Sequence, residues 1–529
     1  MKLKRILAIS LSLTMLFSMS LSSVAAVERT TPVEVPDEYN KTDVVVDRDV
    51  KVVGNDYAVR VVNEGQSEGV TTFADIGGNV SLTNTDEATA LDSSAYTEGT
   101  DIFVDGSVDA HTDSGEATAI HVWAGNNGDA SVLVDGNVTA TADKGCATGV
   151  SVYTEESSVY VNVGGDVTVD SKDKNYGEAD GIIIQNFTST VYVEVRESVN
   201  VKSETNDAGG VIIAGSSTTE QNAKSTVIIH ADLNVEGYGV VSAGTADQSQ
   251  ADVIIEGTLD ATKGAVLLKD YKSNSGSSND ESKKSDLNLY VWKINDHGAP
   301  IAQRMINDPG SSANHEIKAD EDFINNNIYY IIKVEQPIEG GYFYVTDKNG
   351  NSLTKKNGNI VAKEGTVLLL KADLEADYVI NEAYGDISKN LSLVNDANGN
   401  YSLVVKRGGG VYFNALCSKS ISNAEFRRRE EVQDAIGFID AGPKNSGNIT
   451  IACFNSNSID SSVVKAIRDQ EINYKKKRLK NFTVTILCMK GDVYGKIVID
   501  SGDLLKHTKN DGSVDLKDLY EYFIPITND

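Results

Sequence analysis

Two consecutive stretches of the sequence decide the fold. Residues 100–124 read TDIFVDGSVDAHTDSGEATAIHVWA, and residues 130–154 read ASVLVDGNVTATADKGCATGVSVYT. In both, apolar residues alternate with polar ones on either side of a glycine, and a small residue followed by an aliphatic one comes next. Alternation over short runs rich in valine and threonine predicts β-strands, because successive side chains of a strand point to opposite faces. Each stretch therefore predicts three short strands separated by corners.

The same pattern recurs along the chain with a period near 30 residues. The first column is aliphatic and comprises Val50, Val80, Val108, Val138, Val167, Val199, Leu233 and Leu259. The second column pairs a small residue with an aliphatic one, at Ala58-Val59, Ala90-Leu91, Ala119-Ile120, Gly149-Val150, Gly181-Ile182, Gly210-Val211, Gly239-Val240 and Ala265-Val266. Repeats of this length indicate stacked units. Residues 40–300 are therefore predicted to form a parallel β-helix of about eight rungs, right-handed by the general preference of parallel crossovers.

Glycine recurs where the first two strands of a repeat meet, at Gly78, Gly106, Gly136, Gly165 and Gly257. Glycine adopts backbone angles that other residues avoid, so we expect a bend at each position. The alanine and glycine residues of the second column predict a different constraint, since stacked strands lie only about 4.8 Å apart. A large side chain there would force neighbouring turns apart.

The N-terminus has the order of a secretory signal peptide. Three basic residues among the first five precede an apolar run from Ile6 to Leu21, and small residues up to Ala26 follow. We expect residues 1–26 to be removed and the mature chain to be secreted or associated with the cell wall, without a transmembrane segment. The formal net charge of −29 argues against nucleic acid as a partner, because phosphate repels an acidic protein.

The sequence changes character after residue 270. Residues 271–286 are polar and predict a linker, and Leu287–Ile294 predicts a strand that forms a last rung or a cap. Residues 326–418 contain short strands such as IYYIIKV and GTVLLLKA between glycine turns, which predicts a small antiparallel β-domain. Within it, GGYFYVTDKNGNSL through NGNYSLVVKRGGGVYFNALC resembles the bacterial extracellular repeat modules of the divergent internalin B-repeat type. That resemblance implies a binding or spacer domain rather than an enzyme.

Residues 424–529 predict a third unit, of α+β character. Helices are expected at 425–438, 460–470 and 515–523, a strand at 448–454, and a hairpin of 482–489 with 494–500. This unit, including VDLKDLYEYF, resembles the C-terminal module of secreted, solenoid-bearing proteins of Gram-positive gut bacteria. The resemblance implies an architecture and a location, and no chemistry.

Four cysteines in 529 residues are too few for a disulfide scaffold. Cys146 lies beside the second column and is expected to be a buried small hydrophobe. Cys453 and Cys488 each share a strand face with aliphatic residues, so both are expected to face the core of the third unit. The pattern leaves open whether these two form a disulfide or remain thiols.

An enzyme has to be weighed, because β-helix folds house pectate lyases and polygalacturonases. A glycosidase of that kind needs two carboxylates, commonly adjacent aspartates, and residues 40–270 contain no Asp-Asp pair. The basic residues that a lyase would need are few, and His111, His121 and His230 fall at unrelated phases of the repeat. We therefore predict no catalytic, cofactor-binding or metal-binding residue.

Two patterns could involve calcium, although no cofactor is expected. Asp105, Asp135 and Asp166 lie near glycine corners and are weak candidates for loosely bound structural calcium. Residues 507–518 resemble a dockerin or EF-type loop, but the first position holds His507 where a strong site needs a carboxylate. A glycine turn followed by a helix capped by its first aspartate is the preferred interpretation of that loop.

Basic clusters at 427–429 and 475–478 suit either a solvated surface or docking onto an anionic wall polymer. The solvated surface is the preferred interpretation. The repeats, the N-terminus, the spacer-like module and the lack of paired aspartates favour a secreted or cell-surface, adhesin-like protein that binds extracellular glycan or wall polymer without cleaving it. Successive turns can present equivalent side chains at regular spacing, so weak contacts add. The alternatives are a carbohydrate-active β-helix enzyme and a structural spacer, and the oligomeric state cannot be read from the sequence.

Overall fold

The structure is a computed structural model that describes part of the chain. The described residues are 29–35, 43–63, 71–126, 128–205, 207–215, 223–243, 250–271, 287–307, 316–335, 341–374, 378–384, 401–422, 448–453, 457–476, 482–491 and 493–525. The predicted signal peptide and nearly all of the predicted linker lie outside them.

The chain divides into two compact units. The first comprises Met1–Ile254, Asp260–Leu287 and Asp296–Asp320, and the second comprises Ile255–Leu259, Asn288–Asn295 and Glu321–Asp529. The predicted division of the C-terminal half into residues 326–418 and 424–529 stays a prediction.

The first unit contains a parallel β-solenoid of about seven turns, which confirms the predicted fold class. Each turn gives one strand to each of three stacks of parallel-paired strands, which we call the first, second and third sheets. The first sheet contains Asp43–Val46, Thr72–Ile76, Thr100–Val104, Ala130–Val134, Val159–Val163, Thr190–Val195 and Lys224–Ile229. The second contains Val50–Val53, Val80–Asn84, Val108–Thr112, Val138–Ala142, Val167–Ser171, Val199–Ser203 and Leu233–Val235. The right-handed sense of the coil stays a prediction.

The third sheet extends beyond the complete turns at both ends. It contains Val33–Val35, Tyr57–Asn63, Ala88–Ala95, Ala117–Ala124, Ala147–Thr154, Ala179–Asn186, Ala208–Gly215, Tyr238–Ala243, Gly264–Tyr271 and Ala302–Asn307. An antiparallel strand, Glu316–Ala319, follows Ala302–Asn307 and ends the sheet. The eighth repeat of the sequence appears as the long strand Gln250–Ala261 and the strand Gly264–Tyr271.

The register of the sheets confirms both repeat columns. In the third sheet Val59 pairs with Leu91, Leu91 with Ile120, and the alignment continues turn by turn to Val266. In the second sheet the first column aligns in the same way from Val50 to Leu233. All of these aliphatic side chains are fully buried. Each contributes about 1.5–3 kcal/mol on burial, so the stacked columns form the solenoid core.

The corner glycines are required for a reason that differs from the expected one. Gly106 and Gly136 do not have positive φ angles, so no unusual backbone conformation selects them. A Cβ atom on Gly106 would instead lie 2.7 Å from the carbonyl of Gly78, and one on Gly136 would lie 2.7 Å from the carbonyl of Gly106. The close approach of the preceding turn therefore excludes a side chain. The corner predicted at Gly257 is wrong, because this residue lies inside the continuous strand Gln250–Ala261.

A chain of hydrogen bonds, here called the turn ladder, runs along the corners that precede the second sheet. A side-chain oxygen in one turn accepts from the backbone N–H of the equivalent residue in the next, over distances of 2.7–3.4 Å. Its members are Asp49, Asn79, Ser107, Asn137, Asp166, Ser198 and Asp232. The corner N–H groups from Asn79 to Asp232 are thereby paired within the protein.

The second unit begins with sheets that are antiparallel in large part, as predicted. Gly341–Asp347, Val367–Leu374 and Tyr401–Val404 form a three-stranded antiparallel sheet, and Ile328–Val334 pairs antiparallel with Asn359–Ala362. The predicted strand at 287–294 is observed as Asn288–Asn295, which pairs in parallel with Ile328–Val334. The remaining elements of this part are Lys355–Lys356, Tyr378–Tyr384, Tyr412–Ser422 and the helix Glu321–Asn327.

The C-terminal elements follow the predicted order. The strand Asn448–Cys453, the helix Ser461–Lys476 and the hairpin of Thr483–Lys490 with Val493–Asp500 are confirmed. The closing helix is a 3₁₀-helix at Leu516–Tyr522, and a short helix at Ser501–Lys506 was not predicted. Short strands at Ser458–Ile459, Val514–Asp515 and Phe523–Pro525 complete this part. The predicted helix at 425–438 lies outside the described residues.

The loop at 507–518 is the predicted glycine turn. Gly512 has a φ of +86°, and the Asp515 side chain accepts a hydrogen bond from the backbone N–H of Lys517 at the start of the last helix. The Asp515 carboxylate also pairs with the Lys509 ammonium at 2.8 Å.

The cysteine predictions have two outcomes. Cys453 and Cys488 are buried, unbridged, and directly paired on adjacent parallel strands, which confirms that they face the core. Burial raises the pKa of Cys453 to about 12 and that of Cys488 to about 11. The expected burial of Cys146 is wrong, because this side chain is partly exposed and its Sγ lies 3.9 Å from the Tyr176 carbonyl oxygen.

Candidate functional site

The outer surface of the third sheet carries a polar cluster built from three successive turns. Arg60 pairs in register with Asp92, and Asp92 pairs with His121. The Arg60 Nε atom lies 3.0 Å from one Asp92 carboxylate oxygen, and His121 Nδ1 lies 3.0 Å from the other. The Ser94 hydroxyl donates to that second oxygen at 3.3 Å. The Asp92 side chain is 16% exposed, so it forms the partly buried centre of the cluster.

The hydrogen-bonding roles in this cluster are fixed by chemistry. A carboxylate accepts hydrogen bonds, so the His121 Nδ1 atom that faces Asp92 carries a proton. The Nε2 atom of His121 then accepts or donates according to its protonation state. The Arg60 Nε–H is not aligned as a hydrogen bond, so its contact with Asp92 is an ion pair. The guanidinium also lies over the ring of Tyr57, 5.3 Å from its centroid.

An aromatic row begins beside this cluster and continues along successive turns. Tyr96 and Trp123 have ring centroids 4.3 Å apart, and Trp123 and Tyr153 are stacked at 6.5 Å with planes within 8°. Phe187 follows Tyr153 at 5.1 Å. These rings are half-buried or exposed, so part of each is accessible from solvent. Backbone pairing places Trp123 beside Tyr153, whereas Tyr96 and Phe187 each lie two residues beyond the residue that pairs with their neighbour in the row.

Local contacts hold two of these rings in place. A Cβ atom on Gly125 would lie 2.6 Å from the Trp123 ring, so the absence of a side chain there makes room for the indole. The Tyr153 hydroxyl donates to the Glu155 carboxylate at 2.7 Å, and this hydrogen bond raises the pKa of Tyr153. Neighbouring residues therefore restrict the positions of Trp123 and Tyr153 in the row.

The polar cluster and the start of the aromatic row enclose a cleft of about 360 Å³. Its lining residues are Asp56, Tyr57, Arg60, Thr89, Asp92, Ser94, Tyr96, His121 and Trp123. Flat apolar rings next to fixed donors and acceptors are the lining expected of a site for a small polar ligand. We call this cleft and the row that leads from it the polar-aromatic face.

The sequence contained a signal for this site that was missed. Arg60, Asp92 and His121 directly follow the second-column residues Val59, Leu91 and Ile120, so they share one phase of the repeat. The three histidines lie at unrelated phases, so the shared phase of His121 with an arginine and an aspartate is visible only when all three residue types are considered together.

The other sequence candidates have different surroundings. His230 and the Tyr192 hydroxyl both contact Glu194 on the first sheet, at 3.0 and 3.2 Å. Burial, followed by the Glu194 charge, raises the pKa of Tyr192 to about 12. The ring of Tyr192 stacks on Tyr160 at 5.3 Å. The polar atoms of this group are thus directed at one another.

The structure does not bring the three calcium candidates to one position. Asp105 and Asp135 follow first-sheet strands in successive turns, whereas Asp166 belongs to the turn ladder and accepts from the Ser198 N–H at 2.9 Å. Calcium binding stays a prediction. Of the basic clusters, residues 427–429 lie outside the described residues, and 475–478 are described only as the helix backbone through Lys476.

No helix in the described part of the chain is both long and apolar enough to cross a membrane. Comparison of the chain with protein-family models, with curated proteins and with solved structures finds no match, so the geometry of the polar-aromatic face is the basis for assigning a function.

Proposed function

We propose that this chain is an exported, adhesin-like β-solenoid that binds an extracellular glycan on the polar-aromatic face. The observation that carries the proposal is the direct adjacency of the Arg60–Asp92–His121 cluster to the row that starts with Tyr96 and Trp123. A sugar ring has apolar C–H faces and a hydroxyl edge. It therefore needs an aromatic platform beside paired donors and acceptors, and this face supplies both.

The arrangement of the row favours a polymer over a single sugar. Trp123 and Tyr153 occupy paired positions in neighbouring turns, and Tyr96 and Phe187 extend the row in opposite directions. A glycan that lies along the row meets a new ring after each 4.3–6.5 Å. Individually weak contacts then add along the chain of the ligand.

The cluster is better suited to binding than to glycoside cleavage. A glycosidase needs one carboxyl group that can reach the glycosidic oxygen and a second that acts as base or nucleophile. Arg60 occupies one oxygen of Asp92, and His121 and Ser94 occupy the other. Asp92 therefore serves to position its neighbours.

One observation favours a second candidate function, a hydrolase. Because Asp92 holds Nδ1–H of His121, a neutral imidazole presents Nε2 as a proton acceptor, which is the orientation used by general bases. The cleft could then activate a water molecule or a ligand hydroxyl. The same set of proteins tests both candidates.

The test is glycan binding by the purified chain. A glycan array selects an oligosaccharide, and calorimetry measures its Kd for the wild type, Trp123→Ala and Tyr160→Ala. Loss of one stacking ring is expected to weaken binding by roughly tenfold, corresponding to about 1.4 kcal/mol. Tyr160 is a matched control, because it is an exposed stacked aromatic on the first sheet.

Equal affinity of the wild type and Trp123→Ala would place the ligand elsewhere and refute the proposed face. No binding to any glycan, including wall polymer, would favour the spacer alternative. Sustained release of reducing ends from the glycan by the wild type, but not by His121→Ala, would favour the hydrolase over the binding protein.

Export rests on the N-terminal sequence pattern and has its own test. We expect the protein in the culture supernatant or the wall fraction to begin near residue 27, as N-terminal mass spectrometry would show. A chain that retains Lys2 and remains inside the cell would contradict this part of the proposal.

A further inference from the structure

A second group of side chains, away from the polar-aromatic face, has the composition of a metal site. His111 is the fourth residue of the strand Val108–Thr112, and Asp113 follows that strand. Asp143 follows the paired strand Val138–Ala142 of the next turn. The imidazole nitrogen and one oxygen from each carboxylate lie within 4.8 Å of one another.

The distances within this group are too long for hydrogen bonds. His111 Nε2 lies 3.6 Å from Asp113 Oδ1 and 3.9 Å from Asp143 Oδ2. Neither separation is a hydrogen bond by ordinary criteria. Both approach the spacing of ligand atoms around a tetrahedral zinc ion, which is roughly 3.4 Å for metal–ligand bonds of about 2.1 Å. The ligand atoms are therefore close to the mutual spacing that a bound metal ion requires.

The neighbouring Lys172 supports this geometry. Its ammonium donates to Asp143 Oδ1 at 2.9 Å, whereas His111 faces the other oxygen, Oδ2. One oxygen of Asp143 is thus held by a hydrogen bond while the second stays directed toward the imidazole. Outer contacts of this kind orient ligating carboxylates in metal sites.

The backbone fixes the relative positions of the ligands. The Asp143 N–H donates to the Thr112 carbonyl at 3.0 Å, which places Asp143 directly over Asp113 in the stack of turns. Gly115 and Gly145 lie two residues after the aspartates. A Cβ atom on Gly145 would lie 2.0 Å from the Gly115 carbonyl oxygen, so the two chain segments are in tight contact there. The stacking of the solenoid therefore fixes the backbone positions of Asp113 and Asp143 relative to each other.

We propose that His111, Asp113 and Asp143 bind a late first-row divalent cation, for which Zn²⁺ is the test ion. Imidazole with two carboxylates suits zinc and its neighbours, whereas calcium requires six to eight oxygen ligands. Three protein ligands leave at least one position for water or for a ligand group. The site is independent of the proposed glycan-binding face.

The experiment titrates Zn²⁺ into the full chain, with any purification tag removed, in competition with a chromophoric chelator. Co²⁺ absorption provides a second signal that reports ligand geometry. We expect saturable one-to-one binding, weakened at least tenfold in His111→Ala and in Asp143→Asn. His230→Ala is the matched control, because it removes a half-exposed, carboxylate-paired histidine from another face and should leave the affinity unchanged.

Three results would overturn the proposal: no saturable binding, equal affinity of wild type and His111→Ala, or an equal loss in His230→Ala. The melting temperature in the presence of a chelator separates folding from binding. We expect His111→Ala to melt like the wild type, because the side chain is outside the core. If it does not, Asp113→Asn, at an exposed turn position, decides the question by the same tenfold criterion.

Discussion

Substitution of Gly181 tests the stacking of the solenoid most directly. Gly181 belongs to the second column and lies in the strand Ala179–Asn186. A Cβ atom there would lie 2.4 Å from the Gly210 carbonyl oxygen, 2.8 Å from Val199 Cγ1 and 2.9 Å from Val201 Cγ2. The φ angle of Gly181 is not in the left-handed region, so these contacts are the whole penalty.

The magnitude follows from what would have to move. The Gly210 oxygen belongs to the backbone of the next turn, and the two valines are 0% and 3% exposed. None of these groups can retreat without loosening the stacked sheets. We expect Gly181→Ala to destabilise the protein by about 1–3 kcal/mol, the usual range for an overpacked core, and Gly181→Val to destabilise it more.

The assay is urea unfolding followed by circular dichroism, with Thr168→Val as control. Thr168 is exposed on the strand Val167–Ser171, and its substitution should change the stability by no more than about 0.5 kcal/mol. A Gly181→Val midpoint equal to that of Thr168→Val would refute the claim that turn-to-turn contact selects the small residues of the second column.

Three further predictions concern other parts of the chain. Cys453 and Cys488 should resist a bulky thiol reagent in the native state and react fully in denaturant, because both are buried; rapid native labelling would contradict their placement. Burial raises the pKa of Asp180 from an ordinary value of 3.8 to about 7. Between these two values the folded chain keeps a proton that the unfolded chain has lost. The free energy of unfolding should therefore fall as the pH rises from about 4 to 7. Melting curves of Asp180→Asn should show no such loss of stability over this pH range. Stability profiles of the wild type and Asp180→Asn that run parallel with pH would contradict the prediction. Asn137→Ala should lower the free energy of unfolding by about 1 kcal/mol, because it removes the acceptor for the Asp166 N–H. Asn137→Asp keeps an acceptor and should be as stable as the wild type. Equal urea midpoints for the two variants would argue against the turn ladder.

The solenoid could be predicted from the sequence because its core has a period. Each aliphatic residue of the second column pairs with its counterpart about 30 residues away, and all of these aliphatic residues are buried. The same packing requirement therefore recurs in every turn and appears in the sequence as a repeat. The turn ladder has a pattern of the same kind, since each member directly precedes a first-column residue, as Asn79 precedes Val80 and Ser107 precedes Val108. The pattern is hard to recognise in the sequence because three residue types, asparagine, aspartate and serine, supply the accepting oxygen.

The candidate sites were harder to predict because each occurs once. Arg60, Asp92 and His121 occupy one phase of the repeat, but the other turns place serine or aliphatic residues at that phase, so no column is visible. Phase alone could have indicated that these side chains are neighbours. It could not have shown which oxygen of Asp92 each partner contacts, because those contacts depend on side-chain torsions that the repeat does not specify.

The turn ladder has a direction, and this gives the solenoid two unlike ends. Every acceptor lies in the earlier turn and every donor in the later one, as where Asn79 accepts from Ser107 and Asp166 accepts from Ser198. A completed turn therefore displays a side-chain oxygen to the segment that follows it in the chain. During synthesis, which proceeds from the N-terminus, each new segment meets a template that is already in place. Growth of the coil is thus matched to the order in which the polypeptide emerges, and a chain interrupted part-way would end in an acceptor that still awaits its donor.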